Sequence, residues 1–169
     1  MSYTLTLPYP VSSNRYYRRV RHMMILSKEA KEFKAQVLQI TKDACVGDPI
    51  LGRVSVHIDM YPKRPKDWAK RARVDPLYWD NNVTRIDLDN ARKAIYDSLK
   101  NIVFEDDKLV FTDSGDILTP DGEARVVVRI RSKGDVKGAI DDLAERIARL
   151  DPGMTVVSKA SLPVWTTVL

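Results

Sequence analysis

One cysteine, Cys45, is all that 169 residues supply, so neither an intrachain disulfide framework nor a cysteine-based zinc cluster is available. Cys45 is expected to be a small buried or half-buried filler. No apolar run approaches the roughly 20 residues that span a bilayer. The opening MSYTLTLPYP lacks the basic start and apolar middle of a secretory signal, and the expected setting is cytoplasmic. Internal repeats and low-complexity segments are also missing. There are only two histidines. His57 falls on the polar side of an alternating run and His22 in a basic loop, so both are expected at the surface without a catalytic role.

What is present describes a folded chain whose charge is unevenly placed. Hydrophobic residues make up 44% and charged residues 30%, enough to bury a core and too apolar for disorder. The net charge is +5, but residues 1–73 hold 15 Lys and Arg against 6 Asp and Glu, and the remainder holds 13 against 17. A basic first half joined to an acidic second half suits a polyanion gripped by one part and worked on by another.

Tyr3 to Leu7 alternates with period two and predicts a strand, followed by a loop from Pro8 to Arg21. Ala30, Phe33, Val37, Ile40 and Ala44 recur at helical spacing behind Ser27 as N-cap. Val54, Val56, Ile58 and Met60 alternate with polar residues, which predicts a half-buried strand. Pro62 to Thr84 shows no sustained period and predicts a long basic loop. A second helix follows, capped by Asp89, with Ala91, Ala94, Ile95, Leu99 and Ile102 inward. Two strands, Asp107–Thr112 and Ala124–Arg131, precede a third helix over Val136–Leu150 and an apolar tail. The expected fold is α+β, a mixed β-sheet packed with helices in the order β-α-β-α-β-β-α. Residues 1–132 would form the main domain. Residues 133–169 would pack on it or at a dimer interface.

Asp87 and Asp89, two residues apart, would leave an extended backbone on the same side. Carboxylates about 4 Å apart repel by roughly 4 kcal/mol near a protein surface, which a fold tolerates with a cation between them or a proton on one. Hard divalent cations, magnesium above all, favour such oxygens and share phosphate oxygens with a substrate. A third acid from Glu105-Asp106-Asp107 would complete a pocket suited to phosphoryl chemistry. The same residues also fit a plainer account, with Asp89 as a helix cap paired to Lys93 and the acidic triplet as a solvated turn. Spacing alone leaves both open.

"RIDLDNARKAIYDSL" followed by "FEDDKLV" resembles the signature of the RusA-like Holliday junction resolvases, magnesium-dependent endodeoxyribonucleases common in phages and prophages. The opening "YTLTLPYPVSSNRYYRR" is similar to that family's first strand and following loop, and the likeness runs over about residues 3 to 131 in the same order. The resemblance implies a RusA-like fold, metal ligation by Asp87, Asp89 and Asp107 (with Asp106 as alternate), and an essential Lys93. It further implies Mg²⁺ (with Mn²⁺ possible) as cofactor, branched double-stranded DNA as partner, and a homodimer that nicks four-way junctions symmetrically. The segment beyond about residue 132 has no counterpart in the likeness. Lys100-Asn101 stands where many relatives place a glycine, and asparagine also tolerates the left-handed conformation.

Two basic stretches are the expected DNA contacts. "NRYYRRVRH" offers Arg15, Tyr16, Arg18, Arg19 and Arg21, combining phosphate clamps with rings able to stack on bases. The plain alternative is a solvated loop with Tyr16 or Tyr17 tucked into the core. "PKRPKDWAKRAR" adds Lys63, Arg64, Lys66, Lys70, Arg71 and Arg73 beside Trp68, and Tyr78 or Trp79 would either wedge at a branch point or pin the loop. A nuclease acting on flaps or other branched DNA, and a DNA-binding protein whose acids are structural, are the alternative functions.

Overall fold

The computed structural model describes Met1–Lys133, together with Ile140, Leu143, Ala144 and Ile147. The chain divides into two compact units, Met1–Lys133 and Gly134–Leu169. The four described residues of the second unit are helical and fall within residues 136–150, where the third helix is expected. The rest of that helix and the apolar tail fall outside the described residues.

Strand periodicity sets the sheet of the first unit. Strands β1 (Ser2–Pro8), β4 (Val54–Tyr61), β5 (Val110–Ile117) and β6 (Arg125–Ser132) pair in the order β1-β6-β4-β5. Strands β4 and β5 run parallel, and β6 is antiparallel to both β1 and β4. The register aligns Leu5, Val128, Ile58 and Gly115 in one row across the sheet, and Thr4, Arg129, His57 and Ser114 in a row on the opposite face. Strands β1, β4 and β6 therefore turn mainly apolar residues to one face and mainly polar ones to the other. The mixed α+β architecture agrees with the sequence-based expectation.

Two helices cover the apolar face. Helix α2 (Lys28–Asp43) starts at Ser27, whose hydroxyl accepts from the Ala30 amide at 3.1 Å, and buries Ala30, Phe33, Val37 and Thr41. Helix α4 (Leu88–Leu99) buries Ala91, Ala94, Ile95, Ser98 and Leu99. Their apolar side chains form one cluster with Val54, Val56, Ile58 and Met60, these four fully buried. Gly115 allows α4 to come close to the sheet. A Cβ there would stand 3.1 Å from the Ile58 carbonyl and 3.2 Å from Leu88 Cδ2.

Both segments expected as loops carry structure. Ser13–Tyr16 forms one helical turn (α1), and Tyr17–Val20 (β2) pairs antiparallel with Met23–Leu26 (β3). The basic "NRYYRRVRH" thus becomes mostly a hairpin, turned at Arg21 with φ 56°. Within Pro62–Thr84, Trp68–Val74 forms a short helix (α3) with no buried residue. Cys45 is exposed and takes a left-handed φ of 51° just past α2, so it is not a core filler. Asn101 adopts φ 62°, as expected for its turn.

Candidate active site and nucleic-acid interface

Helix α4 organises the candidate residues. Asp87 occupies its N-cap with extended backbone (φ −72°, ψ 151°), but its carboxylate caps nothing. Among the described residues it makes no side-chain hydrogen bond or ion pair. Asp89 sits in the first turn with its side chain 93% exposed. Because the helix begins at Leu88, the alternation of an extended chain does not govern this pair, and the cap falls to Asp87 rather than Asp89. Both acids lie at the N-terminal end of the helix.

Asp89 pairs with Arg92, not with Lys93. Arg92 Nη1 donates to Asp89 Oδ1 at 2.8 Å, and its Nε donates to Asp113 Oδ1 at 3.0 Å, tying α4 to β5. Burial first, then the Asp113 charge, pushes the Tyr96 phenol above its ordinary range. Lys93 is exposed, and its Nζ lies 5.7 Å from the centre of the Tyr17 ring. Tyr17 in turn donates to Asp97 Oδ2 at 3.3 Å, so α4 anchors the base of the arginine hairpin.

Asp107 is not brought to this end of the helix. It belongs to a single 3-10 turn, Asp107–Leu109, and contacts Lys100 Nζ at 3.2 Å, just past the far end of α4. The eleven residue steps from Asp89 to Lys100 correspond to about 16 Å of helix axis. Asp106 accepts from the Lys108 amide at 3.0 Å and lies 2.9 Å from Lys100 Nζ. The amide, then the lysine, hold its carboxyl far below the usual range, and the same two acids raise the Lys100 pKa. With Asp106 so engaged, Asp107 has the more available oxygens of the two.

The described residues that do converge are His57, Asp59 and Asp116, whose ligand atoms lie within 4.8 Å of one another. His57 Nε2 is 3.0 Å from Asp59 Oδ1 and 3.5 Å from Asp116 Oδ2, and His57 Nδ1 is 2.8 Å from Ser114 Oγ. The Arg129 guanidinium donates to Asp59 Oδ2. That cation already supplies the compensation a metal would provide, and Asp59 is wholly buried. A substrate phosphate has no access to the Asp59 oxygens, although Asp116 is half-buried. The set therefore fits a charge-compensated polar network better than a catalytic metal centre. His57, expected at the surface, is 3% exposed, because the polar face of β4 is also covered. Simple alternation could not reveal that.

The hairpin leaves Arg15, Arg18, Arg19 and Arg21 exposed. Tyr16 is a correction to its expected place among the DNA contacts. It is 1% exposed, its ring edge-on to Tyr17 in the core, and cannot stack on a base. In the second basic stretch, Lys63, Arg64, Lys66 and Arg71 line a cavity of about 320 Å³ with Asn82, Val83 and Thr84. The Arg64 amide donates to the Gly122 carbonyl at 2.8 Å, and Lys63 pairs with Glu123 at 3.1 Å, fixing the cleft against the turn before β6. Lys70 and Arg73 project from α3 into solvent. Arg92, Asp97 and Asp113 escaped sequence reasoning. Asp97 stands within the quoted motif and offered a signal, whereas Arg92 and Asp113 meet only once α4 lies on the sheet.

Fold and site together define an α+β domain that presents helix-terminal carboxylates beside exposed basic arms. Residues 8–131 match the family model described as Endodeoxyribonuclease RusA. The chain belongs to the RusA family. It is 32% identical over 111 residues to a crossover junction endodeoxyribonuclease RusA of Escherichia coli O139:H28, covering 64% of this chain and 77% of that one. The namesake from Escherichia coli K12 is 31% identical over 104 residues, 61% and 71% of the two chains. That of Enterobacteria phage 82 is 29% identical over 119 residues, 66% and 92%.

Proposed function

We propose that this chain is an endodeoxyribonuclease that resolves four-way DNA junctions, using Mg²⁺ and acting as a homodimer. The observation that carries the reading is Asp87, a carboxylate at the head of α4 that among the described residues serves no cap and no ion pair, next to the solvent-facing Asp89. Family membership and the basic arms support the same conclusion. All the donors at this end are hard oxygens, which suits a small divalent cation. Bound by Asp87 and Asp89, such a cation would neutralise phosphate charge and acidify the attacking water.

The protein's own groups do the rest. Lys93, one turn along α4 from Asp89, faces solvent where it can meet the charge developing on the scissile phosphate. Arg18, Arg19 and Arg21 on the hairpin, and the cleft of Lys63, Arg64, Lys66 and Arg71, hold flanking phosphates and fix the strand in place. Arg92 keeps Asp89 oriented until substrate and cation arrive. Asp107 stands at the opposite end of α4, so as a third ligand it would reach the pair from a second copy of the chain. That geometry supports the homodimer. Described residues include no helix long and apolar enough to cross a membrane, in keeping with action in the cytoplasm of a bacterial host.

The test is cleavage of a synthetic mobile four-way junction with and without Mg²⁺, by the wild type and by Asp89→Asn. Paired nicks that require Mg²⁺ and vanish in the variant are expected. Cleavage that persists in the variant would overturn the assignment, and cutting confined to flaps would reassign the substrate.

A further inference from the structure

Between β4 and α4 the chain makes a long excursion whose outer edge is anomalous. Val74, Leu77 and Tyr78 are 82%, 79% and 62% exposed, although three large apolar side chains so close in sequence ordinarily turn inward. Val74 and Tyr78 line one cavity of about 320 Å³, and Leu77 adjoins Tyr78 in the same turn, so the three are taken together as a ridge.

The ridge is held rigidly. Asp75 Oδ1 accepts from the amides of Leu77 and Tyr78 at 3.2 and 3.0 Å, fixing the turn that presents them. At its root, Trp68 and Trp79 pack with ring centroids 6.3 Å apart, and Arg85 Nη1 donates to the Asn81 and Val83 carbonyls at 3.3 and 3.4 Å. Trp79 is thus drawn inward, and Tyr78 is the outward aromatic.

Its surroundings select a partner. Lys70, Arg71 and Arg73 stand on the adjoining helix, which buries none of its residues. Apolar groups bordered by cations suit a polyanion with an apolar interior, which describes a DNA helix with a stacked core. The excursion opens at the end of β4 and closes at Asp87, and Arg71 lines one cavity with Val83 and Thr84, close before Asp87, and another with Val74 and Tyr78, which links the ridge to the root beside the candidate carboxylates.

We propose that Val74, Leu77 and Tyr78 form a wedge that enters the branch point of a DNA junction and unstacks a base step there. Lys70, Arg71 and Arg73 hold the phosphates on either side. The inference rests on the reading of the chain as a junction nuclease. Insertion of apolar side chains between base steps is an established way to open a duplex. Tyr78 stacks on the freed base, and the cavity beside it, with Trp79 and Asn82 in its wall, gives the displaced base somewhere to go.

The experiment places 2-aminopurine beside the branch of a synthetic four-way junction, with Ca²⁺ in place of Mg²⁺, and compares the full-length wild type with the double variant Leu77→Ala, Tyr78→Ala. Both side chains are exposed, and circular dichroism checks that the variant folds. The wild type is expected to raise the fluorescence several-fold at saturation. The variant should bind within about tenfold of wild type yet give no rise, and its Mg²⁺-dependent cutting should recover on a junction carrying unpaired bases at the branch. An equal rise with the variant, or no rise with wild type bound, overturns the wedge. A variant that sediments as monomer where the wild type is dimeric would assign the ridge to contact between copies and also overturn it. Failure of the wild type to bind or cut any branched DNA would instead remove the junction-nuclease reading, and the wedge with it.

Discussion

Arg92 Nη1 donates to Asp89 Oδ1 across 2.8 Å, so one of the two acids at the head of α4 is held by a cation of its own helix. The same guanidinium reaches Asp113 on β5 at 3.0 Å. One side chain therefore orients a candidate ligand and fastens the helix that carries it. Replacing Arg92 by Leu should lower stability by about 0.5–1 kcal/mol, the scale of a partly exposed ion pair. Urea unfolding measures this, and an unchanged midpoint would mean that the bridge does not secure α4.

Asp87→Asn should abolish Mg²⁺-dependent cleavage, with a fall in rate of at least about a hundredfold, since a neutral amide cannot hold the cation as a carboxylate does. Junction binding in EDTA should hold or strengthen, because removing a negative charge near phosphate removes repulsion. Loss of binding in parallel with cleavage would show Asp87 to be structural.

The Arg129 and Asp59 pair lies under the polar face of the sheet, with Asp59 fully buried. Arg129→Met should destabilise the protein by about 3–5 kcal/mol by leaving a buried charge with less compensation, whereas the double change with Asp59→Leu should recover much of the loss. Thermal or chemical unfolding of the three proteins separates these outcomes. A Mg²⁺-dependent stabilisation lost in Asp116→Asn would instead make this network a metal site.

Asp106 titrates far below an ordinary carboxylate because the Lys108 amide and the Lys100 ammonium favour its charged form. A depressed folded-state pKa stabilises the fold above the unfolded value, about 3.9, and that contribution is lost as pH falls through the folded value. Asp106→Asn should thus be less stable than wild type at pH 7, and the gap should narrow steadily below about pH 4. A gap independent of pH would remove the charged pairing as its cause.

Salt should weaken DNA binding steeply, since each phosphate neutralised releases counterions. Alanine at Arg18 or Arg19 should reduce the slope of log K against log salt by about one each. Tyr16→Ala should unfold the protein rather than alter that slope, because its ring lies in the core.

Periodicity made much of the fold legible. The alternation at Val54–Met60, the helical spacing after Ser27 and the apolar stripe of α4 are local consequences of backbone geometry, and each matched an observed element. The tyrosines of "NRYYRR" were not separable by sequence, since Tyr16 and Tyr17 carry the same chemistry and differ only in that one ends α1 and the other opens β2. His57 was misplaced for a related reason. Alternation identifies a polar face but does not say whether that face meets water.

The sequence by itself determined the types of the sheet strands and of the two helices packed on them, the basic and acidic halves, and the motif that places the chain in its family, because these depend on residue order and short-range sterics. Only the tertiary structure decided that Asp107 lies a helix length from Asp87 and Asp89, that Arg92 joins α4 to β5, and that the Val74–Tyr78 ridge faces outward. Those outcomes depend on how α4 crosses the sheet and on what the strand register sets opposite what. They are distances between residues remote in the chain, which no local pattern encodes.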